Sequence, residues 1–261
     1  MMRDLGRRER GKKMKQLIIE KLHEIEKEEN VKILLAVESG SRAWGFASPD
    51  SDYDVRFIYI RSQEDYLRLD SVRDVIERPI NELLDINGWD LQKALRLMYK
   101  SNPTLFEWLM SPVIYIETEF ADQIRKEIGK YFSIKRSLYH YLSMAEGNYR
   151  KYLKGDLVRA KKYFYVLRPL LASRWILEKE TPPPMLFSEL SKAELPEELK
   201  EDVERLLEIK LHSPEVKKIP KIEKLNKYFD DSLIEIREKA KGLEDEKAGW
   251  EELNELFLKA V

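Results

Sequence analysis

The sequence predicts an α+β protein: a mixed sheet with helices over residues 15–118, then an all-α half over 119–261. Three observations lead there. Two compact runs rich in β-branched and aromatic residues, KILLAV and YDVRFIYI, bracket a loop of Gly, Ser and Pro. Beyond residue 119 apolar residues recur almost throughout at helical spacing. At 261 residues the chain is long enough to bury a substantial core in one large or two modest units.

The basic start MMRDLGRRERGKKMK reads as a flexible, solvated tail over 1–14, with a phosphate-binding arm as the alternative. Leu17, Ile18, Leu22 and Ile25 then mark an amphipathic helix over 15–29, and residues 31–37 form a buried strand. The segment ESGSRAWGFASPDSD is turn and short helix, and a second strand over 53–60 makes a hairpin-like pair with the first. Residues 83–87 suit a third strand. Asp90 caps a helix to Tyr99 whose stripe is Leu91, Ala94, Leu95 and Met98, and Asn102-Pro103 ends it before another helix over 104–110. Long helices are expected over 135–153 and 157–177. Three prolines make 181–187, TPPPMLF, a connector, and two or three helices follow. The tyrosines 139, 141, 149 and 152 read as helix packing rather than a base-stacking platform.

Composition excludes several function classes. The 47 Lys and Arg nearly cancel 48 Asp and Glu, so global charge singles out no nucleic-acid partner. With no cysteine there are no disulfides, thiolate zinc sites or cysteine nucleophiles. Abundant Lys and Glu without Cys resembles a heat-adapted composition. No apolar run is long enough to span a bilayer and the start lacks a secretory pattern, so a cytoplasmic protein without a membrane partner is expected. The three histidines lie in separate segments without an acid or serine partner, and neither the P-loop nor the dinucleotide glycine pattern occurs.

What remains is SGSRAWGFASPDSDYDV. Strand alternation puts Asp52 and Asp54 on one face, where two carboxylates repel unless a cation lies between them, and such oxygen donors suit Mg²⁺, with Mn²⁺ as the alternative. Gly40 permits a positive φ or a close backbone approach, and Ser41 is expected to cap a short helix from Arg42, offering amides and a hydroxyl to a phosphate. Arg42 is a further phosphate candidate. Trp44 as loop support and Arg56 on the face of Asp54 are open between structural and functional roles.

This Gly-Ser followed by Asp-x-Asp resembles the nucleotidyltransferase superfamily. With DINGWDLQKAL, SNPTLFEWL and KKYFYVLRPLLASRW, the resemblance extends to bacterial and phage nucleotidyltransferases of the polymerase β superfamily, some encoded beside RNA ligases. It implies a polymerase β-like domain, a nucleoside triphosphate substrate and a third metal-binding carboxylate on a later strand that acts as base. Asp85 is the choice, and Asp90, explained by capping, is the competitor. It also implies that the second domain closes over the nucleotide. Lys161, Tyr165 and Arg168 share a helix face and could grip a triphosphate and stack on a base, Lys162 being the alternative cation. The implied acceptor is an RNA end, otherwise a protein or small-molecule hydroxyl. The rival class is a catalytically idle nucleotide-binding module, whose mark would be a lost ligand.

Overall fold

The computed structural model describes residues 2–48, 50–78, 83–212, 217–245 and 248–261. Helix α1, Met2–Glu29, leads into strand β1, Lys32–Glu38; a short helix α2, Gly40–Ala43, and a loop return the chain along β2, Tyr53–Ile60. After α3, Gln63–Leu67, come β3, Val75–Glu77, and β4, Leu84–Asp90, then α4, Leu91–Tyr99, and α5, Pro103–Leu109. Strand β5, Ile114–Glu117, completes a sheet of order β3-β4-β2-β1-β5. It is mixed: β2 and β4 run parallel, the other neighbours antiparallel.

Each sheet face has its own cover. Val55, Phe57 and Tyr59 join Leu84 and Ile86 against Ile18, Leu22 and Ile25 of α1. The opposite residues, Ile58 and Ile60, pack under α4 and α5. That cover also includes α6, Glu119–Lys126, and α7, Ile128–Tyr131, and the last helix, α13, Glu251–Ala260, returns to it through Leu253 and Leu256. Residues beyond 118 therefore belong to this core, so the division expected at 118/119 does not separate two cores. By the same alternation Asp54 and Arg56 share the face of Ile58 and Ile60 but lie at the other end of β2.

The remaining elements are α8, Ile134–Tyr152, β6, Leu157–Arg159, α9, Lys161–Lys179, α10, Phe187–Glu194, α11, Lys200–His212, β7, Lys218–Pro220, and α12, Glu223–Lys241. Their core contains Leu138, Tyr141, Phe164, Leu167, Leu170 and Phe229, and it takes in Phe46 from the loop after α2. The half is helical as expected, save that β6 and β7 pair as a two-stranded ribbon. The helix expected from 157 accordingly starts at Lys161.

Local chemistry explains the boundaries that sequence located well. Asp90 accepts the Gln92 N–H at 2.8 Å to cap α4, and Asn102 caps α5 by accepting from Leu105, with Pro103 where a missing donor costs nothing. The start of α1 differs: the helix runs through residues expected to form a tail, and Met14 packs beside the α1-side core. Strands β3 and β5, absent from the expected pattern, are three and four residues long.

Candidate functional site

Strand β1 ends in Glu38, Ser39 is extended, and Gly40 turns the chain at φ +58. Only glycine suits this position, because a Cβ would lie 2.1 Å from Oδ2 of Asp54 as well as straining the backbone. Ser39, not Ser41, is the N-cap residue of α2, and it makes no side-chain cap bond. Ser41 lies inside this four-residue helix, whose dipole is correspondingly slight. It is half-buried, and its hydroxyl has no partner among the described residues.

Arg42 folds the loop back on itself. It donates to the carbonyls of Ser51 at 2.6 Å and Asp52 at 3.0 Å, and its guanidinium lies 3.6 Å over the Tyr53 ring. The side chain expected to meet a phosphate is thus used as a brace. Asp52 stands exposed at the loop end, one residue before β2 begins.

Asp54 and Asp85 are paired in register on the parallel strands β2 and β4. Neighbouring strands lie about 4.8 Å apart, and two like charges at roughly 5 Å repel by about 3 kcal/mol at an effective dielectric near 20. Arg56 offsets that repulsion. Its Nη2 donates to Asp85 Oδ2 at 2.7 Å and Asp54 Oδ1 at 3.2 Å, while Nη1 donates to the carbonyls of Val55 at 3.0 Å and Asp85 at 2.9 Å. The cluster is partly open, with side chains 18 % exposed for Arg56, 26 % for Asp54 and 27 % for Asp85. Oδ1 of Asp85 accepts no hydrogen bond from a described residue.

Asp90 occupies the opposite end of β4, five residues on and roughly 17 Å away at about 3.3 Å per residue. It pairs in register with Tyr59, caps α4 and accepts from the Tyr66 hydroxyl at 2.9 Å. The structure brings Asp85, and not Asp90, beside Asp54. Among the described residues no three His, Asp or Glu side chains converge into a ready-made metal cage, so Asp52 does not close a triad with the pair.

Behind the turn lies Glu38, which the sequence reading missed. It is 1 % exposed, accepts the Asp54 backbone N–H at 2.7 Å and takes the hydroxyl of Tyr115. Burial pushes its carboxyl up to about 7, against those two hydrogen bonds. A charge closing the apolar run KILLAVE, directly before Ser-Gly, was the available signal. Lys210, reaching from α11 to the hydroxyls of Ser48 and Ser51 at 3.0 and 3.3 Å, had none: it is an ordinary lysine in a charged stretch.

The helical half holds the loop through Trp44 and Phe46. Phe46 packs 4.9 Å from Phe164 and 5.4 Å from Phe187, and Tyr165 meets Trp44 edge-on at 6.2 Å. Lys161 opens α9, and the Lys162 ammonium lies 4.0 Å over Tyr152 and 4.1 Å over Tyr165. Burial lowers the Lys162 pKa. Arg168 is instead enclosed: it donates to Glu107 at 2.7 Å, stacks 4.7 Å over Trp44 and is 1 % exposed. Of the three residues expected on one binding face, Lys161 and Tyr165 are half-buried and Arg168 is internal.

The sequence matches the RNA repair pathway DNA polymerase beta family over residues 14–259. It is 49 % identical over 251 residues to the Bacillus subtilis (strain 168) protein named uncharacterized protein YcgL, covering 95 % of this chain and 96 % of that one. A solved structure, a nucleotidyltransferase-like protein from Exiguobacterium sibiricum 255-15, aligns over 86 % of this chain and 74 % of its own at 16 % identity, with a TM-score of 0.32. No described helix is long and apolar enough to cross a membrane.

Proposed function

The chain belongs to the RNA repair pathway DNA polymerase beta family, a group of polymerase β-like nucleotidyltransferases, and we propose that it moves a nucleoside monophosphate from a nucleoside triphosphate to a hydroxyl at an RNA end, assisted by Mg²⁺. The observation that carries this reading is the in-register pair Asp54 and Asp85 beside the positive-φ turn, with Asp54 Oδ2 on the Gly40 side.

The donor set fits the ion. Mg²⁺ is usually held by one or two carboxylates together with substrate phosphates and waters, and Asp54 and Asp85 offer such a pair, with Oδ1 of Asp85 accepting no hydrogen bond from a described residue. Asp52, exposed at the loop end and apart from the pair, would join as a ligand only with a shift of the loop, and Mn²⁺ suits the same oxygens. Bound there, the ion would polarise phosphoryl oxygens and offset the charge developing on the leaving group.

The chain's own groups orient the reactants. The Ser41 hydroxyl and the amides of the Gly40-Ser41 turn receive the triphosphate, and Lys161 and Tyr165 flank it from the helical half. The acceptor oxygen attacks the α-phosphorus, the α–β bridging bond breaks, and pyrophosphate leaves with the electron pair. Asp85 takes the hydroxyl proton. Arg42 and Arg168 act here as braces of the loop. Membership in a family of an RNA repair pathway supports RNA as the acceptor class.

The test is transfer of label from each α-³²P nucleoside triphosphate to mixed RNA, by the intact protein and by Asp52→Asn and Asp54→Asn. Nuclease-sensitive label that disappears with Asp54→Asn is expected. Full transfer by Asp54→Asn would remove the site assignment, and protease-sensitive label would move the acceptor from RNA to protein.

A further inference from the structure

Charge nearly cancels over the whole chain, yet it is unevenly placed. Residues 150–162, RKYLKGDLVRAKK, carry six cations and one acid in a chain whose 47 Lys and Arg are matched by 48 Asp and Glu. The fold gathers much of this excess on one surface. Helix α8 ends at Lys151-Tyr152, and the Lys151 ammonium lies 5.1 Å from the Tyr152 ring centre. Lys162, in the first turn of α9, is held against Tyr152 and Tyr165 at 4.0 and 4.1 Å. In the β6–β7 ribbon Arg159 pairs in register with Lys218, so both side chains leave the same face, and both are exposed while the alternate Val158 is buried. Burial lowers the Lys162 pKa, and Lys161 and Arg159 push it the same way, which puts these three cations in one positive field.

Two features separate this strip from an ordinary solvated face. Elsewhere on the helical half cations meet acids at helical spacing, as Lys227 does Asp231 and Lys239 does Glu235. Lys151, Arg159, Lys162 and Lys218 have no carboxylate partner among the described residues, and the one acid of the stretch, Asp156, acts on Lys221. The strip also runs to the candidate site, because Tyr165 meets Trp44 edge-on at 6.2 Å and Trp44 closes α2 just after the Gly40-Ser41 turn. We propose that Lys151, Arg159, Lys162 and Lys218 bind backbone phosphates of a single-stranded RNA acceptor and lead its end to that turn, an inference that deepens the RNA reading above and rests on it. Cations without an acid partner displace counterions from a phosphate backbone, and the ring faces of Tyr152 and Tyr165 hold Lys162 in place without neutralising it. Such contacts position a strand without reading its sequence. Among the tyrosines read as helix packing, 141 and 149 are in the helical core, whereas Tyr152 is only partly covered and has this second task.

The experiment measures binding of a fluorescein-labelled oligouridylate by anisotropy across a salt series, then KM for RNA and for the nucleoside triphosphate in the α-³²P assay. It compares wild type, the fourfold variant Lys151→Gln/Arg159→Gln/Lys162→Gln/Lys218→Gln, and Lys32→Gln, an exposed lysine at the far end of β1, with circular dichroism melts confirming the fold. Single strands give a slope of log K against log salt of about 0.7 per phosphate contact, so the fourfold variant is expected to lose about 2 to 3 in slope and to bind at least about tenfold more weakly. Its KM for RNA should rise while KM for the triphosphate stays unchanged, and Lys32→Gln should match wild type. Labelling of RNA by wild type, with affinity, slope and KM for RNA unaltered in the fourfold variant, would overturn the strip and leave the RNA reading standing. An equal loss from Lys32→Gln would do the same, as would a rise confined to KM for the triphosphate, which would assign these cations to the nucleotide. Wild type that neither binds nor labels RNA would overturn the RNA reading and this inference with it.

Discussion

Of the arginines that stand beside carboxylates, two do so in opposite circumstances. Arg168 is buried against the single carboxylate of Glu107, with Tyr141 donating to the same oxygen and Trp44 under its plane. Arg56 is part-exposed and serves two carboxylates, Asp54 and Asp85. The first cluster is balanced, and its charges are spent on each other. The second is partly open, and Oδ1 of its Asp85 accepts no hydrogen bond from a described residue. Openness, more than the presence of arginine and acid, divides a buried brace from a cluster that a ligand can reach.

The largest effect that would sharpen this contrast is on transfer. Asp54→Asn should reduce nucleotidyl transfer by about a thousandfold while leaving the circular dichroism melt nearly unchanged, because the open pair contributes little to the fold. Arg168→Met should do the reverse to stability. It leaves Glu107 enclosed without its partner, at about 3–5 kcal/mol, or roughly 10 °C in Tm for a chain of this size. Adding Glu107→Gln should restore part of the loss, and a melt unaltered by Arg168→Met would break the comparison. Asp90→Ala comes next: losing the α4 cap should cost about 1–2 kcal/mol, measured by denaturant melts, with transfer retained.

The smallest expected effect is a pH slope. Burial raises the Asp90 carboxyl above its ordinary 3.8, against the hydrogen bonds from Gln92 and Tyr66. Between that ordinary value and the raised one, the folded chain keeps a proton that the unfolded chain has released, so stability falls as pH rises through the window. Asp90→Asn should flatten this part of the stability curve. An unchanged slope would place its source elsewhere.

Much of the sheet end was legible in the sequence because its signals are local. YDVRFIYI bounds β2 by composition, and Gly-Ser with Asp-x-Asp marks the turn and the strand it meets. Asp85 could be placed beside Asp54 only as a register, which depends on the parallel crossover from β2 to β4. Strands such as β3 and β5 are too short to show alternation and owe their form to the neighbours they pair with. Arg168 shows the limit of periodicity. The spacing of Lys161, Tyr165 and Arg168 sets a common face of α9, but Val166, Leu167, Leu170 and Leu171 are buried as well, so the helix is covered on several sides. Sequence cannot tell which neighbour covers which side. The roles of Glu38 and Lys210 come from long-range contacts, Glu38 with the backbone of β2 and Tyr115 of β5, Lys210 with the loop serines 48 and 51.

The most direct test sets the two ends of β4 against each other. Label transfer from α-³²P nucleoside triphosphates would be compared for wild type, Asp85→Asn and Asp90→Asn under identical conditions. Loss of transfer with Asp85→Asn and near-wild-type transfer with Asp90→Asn is the predicted result. Wild-type transfer by Asp85→Asn, or loss confined to Asp90→Asn, would contradict the account and move the chemistry away from the Arg56 cluster.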